Sequence, residues 1–205
     1  IFEWDFYHKF PEEILNLRAG GLAIYGGIIG AVAVLLIFCK IKKAKPLQML
    51  DVIVIGLLIG QIIGRWGNFY NREAYGGFTD CIFAMQIPVA DAAVVNSDMV
   101  VATETGFYVQ VHPTFLYESF LNSVVLTLML VFRKTLKFEG ENLCRYLLGY
   151  GVIRFFIEGM RTDQLQVKGV AVSQVLSAVL AVGALATIVV VRVMMWKKEK
   201  QQCEK

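Results

Sequence analysis

The pattern of apolar and polar positions along the chain is dominated by long apolar runs. Residues 21–39 contain no charged side chain, and residues 175–191 are apolar on every helical face. Soluble helices alternate apolar and polar faces, whereas a helix that crosses a bilayer needs about 20 mostly apolar residues. The sequence therefore predicts transmembrane helices, and five stretches qualify: 21–39, 47–64, 113–132, 142–160 and 169–196.

Charged residues interrupt most of these predicted spans. Asp51 lies near one end of the second span, and Glu118 lies near the start of the third. The fourth span carries Arg145, Arg154 and Glu158, so a strict hydropathy threshold would miss it. Ionisable residues inside a span are costly, and this makes them candidates for function.

Lysine and arginine in the short connections predict the orientation of the spans. If the five spans alternate, every basic cluster falls on one side, which the positive-inside rule makes the cytoplasm. These residues are Lys40, Lys42, Lys43, Lys45, Arg133, Lys134, Lys137, Lys197, Lys198 and Lys200. Three polar clusters, at 65–77, 112–118 and 154–161, then lie at one depth near the outer leaflet of a cell membrane.

Residues 79–111 are neither apolar enough to span a bilayer nor charged enough to be disordered. Their β-branched and aromatic residues alternate with polar ones and predict a small β-rich cap. The predicted fold is an all-α polytopic membrane protein with an extracytoplasmic cap that contains β-structure. Its predicted parts are an extracytoplasmic segment 1–20, helices in 21–64, a motif loop and cap in 65–112, helices in 113–196 and a cytoplasmic tail 197–205.

Composition narrows the function classes. Of the 205 residues, 57% are hydrophobic and 18% charged, and the net charge is +3. No basic-aromatic pattern of the nucleic-acid-binding type occurs, so we expect no nucleic-acid partner. The four cysteines are scattered and form no CxxC pair, which argues against a metal site or a disulfide framework.

The stretch GRWGNFYNREAYGG, residues 64–77, is unusually polar for the end of a span. Arg65, Asn68, Asn71 and Glu73 lie among glycines that permit tight turns and close backbone approach. A guanidinium group binds phosphate through a planar fork of donors, which suits a phospholipid headgroup. An interfacial aromatic belt, formed by Trp66, Phe69 and Tyr70, is the alternative interpretation. That belt explains the aromatic residues but not the polar ones.

Two other clusters contain candidate residues. Tyr150, Arg154, Glu158 and Arg161 recur at helical spacing along one stripe, where Arg154 and Glu158 form either a structural ion pair or part of a site. His112 precedes Pro113 and is a base, a hydrogen-bond donor to a ligand, or a helix cap. Tyr25 lies among glycines that favour close helix packing, at a predicted depth similar to that of the polar clusters.

Four motifs in this order resemble the prolipoprotein diacylglyceryl transferase family of bacterial membrane enzymes. They are RAGGLAIYGGIIGA, GRWGNFYNREAYGG, HPTFLYES and YGVIRFFIEGMRTD. The resemblance implies transfer of the diacylglyceryl group of phosphatidylglycerol to the lipobox cysteine thiol of a prolipoprotein. Such a reaction forms a thioether, releases glycerol phosphate and begins lipoprotein maturation. It also implies action at the outer face of the cytoplasmic membrane, with neither a cofactor nor a metal.

The resemblance also implies roles for individual residues. We expect catalytic roles for Arg65, Arg154, Tyr25 and Glu158, and binding of phosphatidylglycerol by a larger set: Arg65, Asn68, Asn71, Glu73, Gly76, Tyr150 and His112. Many family members have histidine at the position of Tyr25, and a tyrosine with a pKa of about 10 is a poor base at neutral pH. Tyr25 therefore positions the headgroup, while His112 or the nearby arginines promote ionisation of the incoming thiol.

Members of this family normally have seven spans, so we expect this chain to be an N-terminally truncated sequence that lacks two. A transporter or channel is the main alternative function, and it predicts charges at several depths and internal repeats. A metal-dependent headgroup transferase needs clustered aspartates, but the aspartates here are dispersed. A purely structural membrane protein leaves the four polar motifs unexplained.

Overall fold

The structure is a computed structural model that describes residues 8–9, 24–162, 166–167 and 170–203. The chain divides into two compact units, residues 1–49 and residues 50–205. In the first unit, helix α1 spans Ile24–Lys42. Lys43 ends it with a φ of 52°, and the Ala44 N–H donates to the Cys39 carbonyl at 3.0 Å. This is the left-handed C-terminal turn in which helices commonly end.

Four further helices follow along the chain. They are α2 (Pro46–Asn71), α3 (Thr114–Val131), α4 (Glu141–Met160) and α5 (Val172–Cys203). Each overlaps one of the apolar stretches in the sequence, but α2 continues beyond the predicted end of its span at residue 64. The first half of the polar motif is therefore helical, and the chain turns away only at Arg72 and Ala74, which have φ values of 56° and 60°.

Three helical segments in the described part of the chain are long and apolar enough to cross a membrane. They are Pro46–Asn71, Thr114–Thr135 and Val172–Gln202. Large apolar side chains on all of them are exposed, as expected for surfaces that face lipid. The protein is thus mostly helical and has the features of a multi-pass membrane protein, while the count of five spans remains a prediction.

Helices α2, α3 and α4 share an apolar core within the second unit. It is formed by Val54, Leu58, Met129 and Tyr146, which are almost fully buried. Helix α4 also packs closely against α5. A Cβ atom added at Gly151 would lie 2.8 Å from the Ser177 carbonyl oxygen, so this approach of α4 and α5 requires a glycine.

The start of α4 is capped by a residue from a different helix. Asp51 of α2 accepts hydrogen bonds from the backbone N–H groups of Gly140 at 2.7 Å and Leu143 at 2.9 Å. The Asp51 carbonyl also accepts a bond from the Asn142 side chain at 2.8 Å. A carboxylate at this position accepts hydrogen bonds from N–H groups that would otherwise be unpaired. Its negative charge also interacts favourably with the positive end of the helix dipole.

The region between α2 and α3 contains a small antiparallel sheet, as the sequence predicts. Its strands are β1 (Met85–Pro88), β2 (Val100–Thr103) and β3 (Gly106–Val111), with β3 in the centre. Tyr75, Ile87, Met99, Val109 and Val111 form its buried core. A two-stranded pair, β4 (Gln166–Val167) and β5 (Val170–Ala171), precedes α5.

Candidate functional site

A buried carboxylate joins two arginines from different helices. Glu118, in the second turn of α3, is 1% exposed. Its Oε1 lies 2.8 Å from Nη2 of Arg65 on α2, and its Oε2 lies 3.4 Å from Nη1 of Arg154 on α4. Arg154 also pairs with Glu158, one turn further along α4. Because the arginine side chains remain 20% and 15% exposed, they are the part of this group that a ligand can reach.

The polar residues of the motif extend this network from Arg65. Nη1 of Arg65 donates to the Asn68 side-chain oxygen at 3.3 Å. The amide groups of Asn68 and Asn71 both donate to Oε1 of Glu73, at 3.1 and 3.0 Å. Glu73 therefore reaches Arg65 through Asn68. The helical end of α2 sets this arrangement, since it places Arg65 and Asn68 on one face.

Tyr150 lies beside the same network, one turn before Arg154 on α4. Its hydroxyl is within hydrogen-bonding reach of Arg65, and the charges of Glu118 and Arg154 also act on it. The ring also stacks on Tyr146 with a centroid distance of 5.6 Å and an interplanar angle of 5°. The stack therefore fixes the Tyr150 ring next to Arg65.

Gly76 is held between two elements that meet at the site. Its N–H donates to the His112 carbonyl at 3.0 Å, and Gly76 forms a β-bridge with Arg161 at the end of α4. A Cβ atom at Gly76 would lie 2.8 Å from the His112 Cβ and 3.0 Å from the Met160 carbonyl oxygen. The glycine is thus required for close packing of the motif against both β3 and α4.

His112 contacts a tyrosine in the first turn of α3, the helix that follows it. Its Nδ1 lies 3.2 Å from the Tyr117 hydroxyl, which in turn lies 3.7 Å from the Cys81 Sγ. Hydrogen bonds from Thr79, from the Phe83 backbone and from Tyr117 lower the pKa of the Cys81 thiol. If Nδ1 of His112 carries the proton and donates to Tyr117, Nε2 is left as an acceptor and can serve as a base.

The aromatic residues of the motif pack mainly on α3. Trp66 donates through Nε1 to the Ser119 hydroxyl at 3.3 Å. Its ring meets Phe115 edge-on, and Phe69 also contacts Phe115. These contacts hold the last turns of α2 against α3, and they keep Arg65 beside Glu118.

The structure brings together most of the residues expected at the site. Arg65, Asn68, Asn71 and Glu73 join Arg154 and Glu158 through Glu118, and Tyr150 lies against the same group. Gly76 and His112 lie next to each other, and His112 is in the loop that joins the sheet to α3. Tyr25 lies in the first turn of α1, and its side chain is outside the described part of the structure.

Glu118 is the residue that the sequence-based assignment of site residues omits. The sequence does contain a feature that points to Glu118, because an acidic residue within an apolar span is a candidate for function. Its two arginine partners lie on separate helices, so only the tertiary structure shows that one carboxylate serves both. In the described part of the chain, no group of three or more histidine, cysteine, aspartate or glutamate residues is arranged to hold a metal ion.

Comparison with known proteins identifies the family to which the chain is related. A family profile described as prolipoprotein diacylglyceryl transferase matches residues 1–190. Proteins named phosphatidylglycerol–prolipoprotein diacylglyceryl transferase are similar to this chain. One from Finegoldia magna is 44% identical over 190 residues, which are 92% of this chain and 69% of the relative. One from Lactobacillus acidophilus is 46% identical over 90% of this chain and 65% of the relative.

A third relative of the same name, from Listeria monocytogenes, is 44% identical over 95% of this chain and 68% of the relative. The chain thus spans about two thirds of the length of these proteins. The profile match covers almost the whole chain, and it includes every element that contributes to the network around Glu118. This chain belongs to the prolipoprotein diacylglyceryl transferase family.

Proposed function

We propose that this chain transfers the diacylglyceryl group of phosphatidylglycerol to the lipobox cysteine of a prolipoprotein. The observation that supports this proposal is the pair of arginines, Arg65 and Arg154, held by the single buried carboxylate of Glu118. Two guanidinium groups in a poorly hydrated site bind a phosphodiester strongly, because few water molecules compete for their N–H groups. The two substrates in this proposal, phosphatidylglycerol and a prolipoprotein, are those in the names of the relatives.

The proposed reaction is a displacement at the glycerol C3 carbon. The thiolate sulfur forms a bond to C3 while the bond between C3 and the phosphate oxygen breaks. The electron pair of that bond leaves with glycerol phosphate, and the thiol proton passes to a base. Arg65 and Arg154 stabilise the negative charge that grows on the leaving phosphate, which is the form of electrostatic stabilisation that lowers such barriers most.

The remaining residues have supporting roles in this proposal. Asn68 and Asn71, linked by Glu73, hold Arg65 in position and offer polar groups to the glycerol headgroup. Tyr150 forms a wall of the site, and Glu158 orients Arg154. His112 is our candidate base, through Nε2, while Tyr25 positions the headgroup.

We also propose that five helices cross the bacterial cytoplasmic membrane, with the network near its outer leaflet. The basic clusters at residues 40–45, 133–137 and 197–200 support this orientation. Phosphatidylglycerol of the outer leaflet and a prolipoprotein signal peptide would then both reach the arginines. A cysteine introduced in the cap should react with a membrane-impermeant maleimide in intact cells, and one introduced at 197–200 should not.

The activity is tested with labelled phosphatidylglycerol and a lipobox peptide, using the full protein reconstituted in vesicles. We expect the glycerol-linked acyl label to move to the peptide, and none to move when serine replaces the lipobox cysteine. Release of glycerol phosphate in equal amount would establish where the bond breaks. Absence of cysteine-dependent transfer by the full protein would refute the proposal.

A further inference from the structure

A second polar layer lies one helical turn from the arginine network, on the side away from the sheet. Gln61 precedes Arg65 by four residues on α2, and Asn122 follows Glu118 by four residues on α3. On α4, Tyr146 precedes Tyr150 by one turn. Four residues of α-helix correspond to about 6 Å along the axis. Three helices therefore carry polar side chains at the same second level, within otherwise apolar sequence.

The packing shows that this layer lies between the helices. The Gln61 side-chain amide donates to the Tyr146 hydroxyl at 2.9 Å. The Arg65–Glu118 pair lies on one side of the layer, and the apolar core of Leu58 and Met129 lies on the other. Since α2 and α3 run antiparallel, the positions of Gln61 and Asn122 fall opposite each other between these two contacts.

Asn122 is the unusual member of the layer. It is 0% exposed, and neither its Nδ2 nor its Oδ1 has a hydrogen-bond partner in the described part of the chain. The side-chain oxygen of Gln61 is also buried and unpaired there. A buried amide without partners is destabilising, and an apolar residue would be less costly in this position. The Nδ2 donor of Asn122 in particular calls for an acceptor atom that the described residues do not supply.

We propose that the Nδ2 group of Asn122, in the same layer as Gln61, donates to an ester carbonyl of the diacylglyceryl group. This inference rests on the proposed function, because the phosphodiester must lie at Arg65 and Arg154. The ester-bearing carbons of the glycerol continue directly from C3 and point away from the phosphate, toward the hydrocarbon. Ester oxygens only accept hydrogen bonds, and the Asn122 amide has two N–H donors.

The consequence is a second point of attachment for the lipid. The arginines hold the phosphate on one side of C3, and Asn122 holds the ester on the other side. With both ends fixed, C3 is kept in line with the incoming sulfur, which is the positional effect that raises the rate of a displacement. Asn122 would therefore determine selectivity for ester-linked lipids over lipids without carbonyl groups.

The test compares diacyl phosphatidylglycerol with its dialkyl ether analogue, which keeps the phosphate and the chains but lacks both carbonyls. The full protein is assayed in vesicles for transfer of each lipid to a lipobox peptide. We expect the unaltered protein to prefer the ester in kcat/KM. Asn122→Leu should lower kcat/KM for the ester about three- to tenfold, the effect of one neutral hydrogen bond, and leave the ether unchanged. Gln61→Leu should reduce the preference less.

Thr127→Val is the matched control on α3, because the Thr127 hydroxyl bonds to the Ser123 carbonyl of its own helix and to no other group in the described ranges. It should alter neither rate. Equal loss for both lipids in Asn122→Leu would show a structural role and overturn the inference, as would an unchanged ester preference. If that variant does not fold, equal kcat/KM for the two lipids in the unaltered protein overturns it as well. No transfer of either lipid by the unaltered protein would refute the proposed function itself, and the inference with it.

Discussion

Oε1 of Glu118 lies 2.8 Å from Nη2 of Arg65, and the two residues come from the apolar helices α3 and α2. Glu118→Gln keeps the size of the side chain but removes the charge that orients both Arg65 and Arg154. Breaking a buried ion network by neutralising one member is strongly unfavourable. We expect kcat/KM for diacylglyceryl transfer to fall at least about 100-fold, a loss typical of misaligned electrostatic groups.

The matched control for Glu118 is Glu104→Gln, which removes a carboxylate from an exposed turn of the sheet. It should leave kcat/KM within about twofold, since surface substitutions of this kind have small effects. Both variants are measured by peptide lipidation in vesicles with equal amounts of folded protein. A Glu118→Gln protein that is as active as the control would refute the assigned role of Glu118.

Replacement of either arginine by lysine separates charge from geometry. Lysine keeps the positive charge but lacks the planar fork of donors that binds a phosphate at two points. Arg65→Lys also loses the bond from Nη1 to Asn68. We expect both Arg65→Lys and Arg154→Lys to lose at least about 100-fold in kcat/KM. Arg72→Lys is the control, because Arg72 pairs with Asp91 at an exposed position and should tolerate lysine. Near-normal activity in both site variants would show that charge alone suffices.

Two adjacent glycines in the motif should respond differently to alanine. A Cβ atom at Gly76 meets His112 and Met160 at 2.8 and 3.0 Å, while one at Gly77 has no neighbour within 4 Å. Gly76→Ala therefore forces the motif away from β3 and α4, and we expect a loss of about 1–3 kcal/mol in stability, as for overpacking. Gly77→Ala should be nearly neutral. Thermal unfolding in detergent measures both, and equal melting temperatures would contradict the packing assignment.

Removal of the Asp51 cap should affect stability rather than the chemical step. Asp51→Ala leaves the N–H groups of Gly140 and Leu143 without their acceptor. Loss of a helix cap costs about 0.5–2 kcal/mol, so the melting temperature should fall. Asp98→Ala, at an exposed position near the sheet, is the control and should not change it. If Asp51→Ala lowers kcat/KM at a temperature where the protein is folded, the cap is coupled to the site.

The Cys81 thiol provides a test that depends on pH. Its pKa is lowered first by the hydrogen bond with Thr79, and the Phe83 backbone and Tyr117 also contribute. Since those bonds favour the thiolate, losing one should raise the pKa and move the alkylation midpoint to higher pH. Thr79→Val should produce this shift, measured as the rate of iodoacetamide reaction against pH. Thr105→Val, on the exposed turn of the sheet, should leave the alkylation midpoint unchanged. A midpoint in Thr79→Val identical to that of the unaltered protein would refute the assignment.

Much of the fold could be predicted from the sequence, because apolar length and β-alternation are local properties. The helices and the sheet appear where those patterns indicate. The extension of α2 to Asn71 could not be predicted from the sequence, because it depends on the packing of Trp66 and Phe69 against Phe115 of α3. The glycines at 64 and 67 suggested a turn, but these tertiary contacts maintain the helix across them.

The candidate site was predictable as a set of motifs but not as a network. Helical spacing pairs Arg154 with Glu158 directly. Two features depend on how antiparallel helices align: the sharing of Glu118 between Arg65 and Arg154, and the lack of a partner for Asn122 among the described residues. Such long-range registers leave no periodic signal in a single sequence, so the sequence alone identifies Glu118 only as an acidic residue within a predicted span.

The network of Arg65, Glu118, Arg154 and Glu158 has two cationic and two anionic groups, so its formal charge is zero. Under the proposed reaction, a thiolate and a phosphodiester bring two negative charges, and a phosphate monoester with two negative charges departs. Turnover therefore conserves the charge in the site and moves one unit of it from sulfur to phosphorus. The electrostatic work of catalysis is then a relocation of charge toward fixed guanidinium groups, and the product most strongly attracted to the site is the small one that must diffuse away.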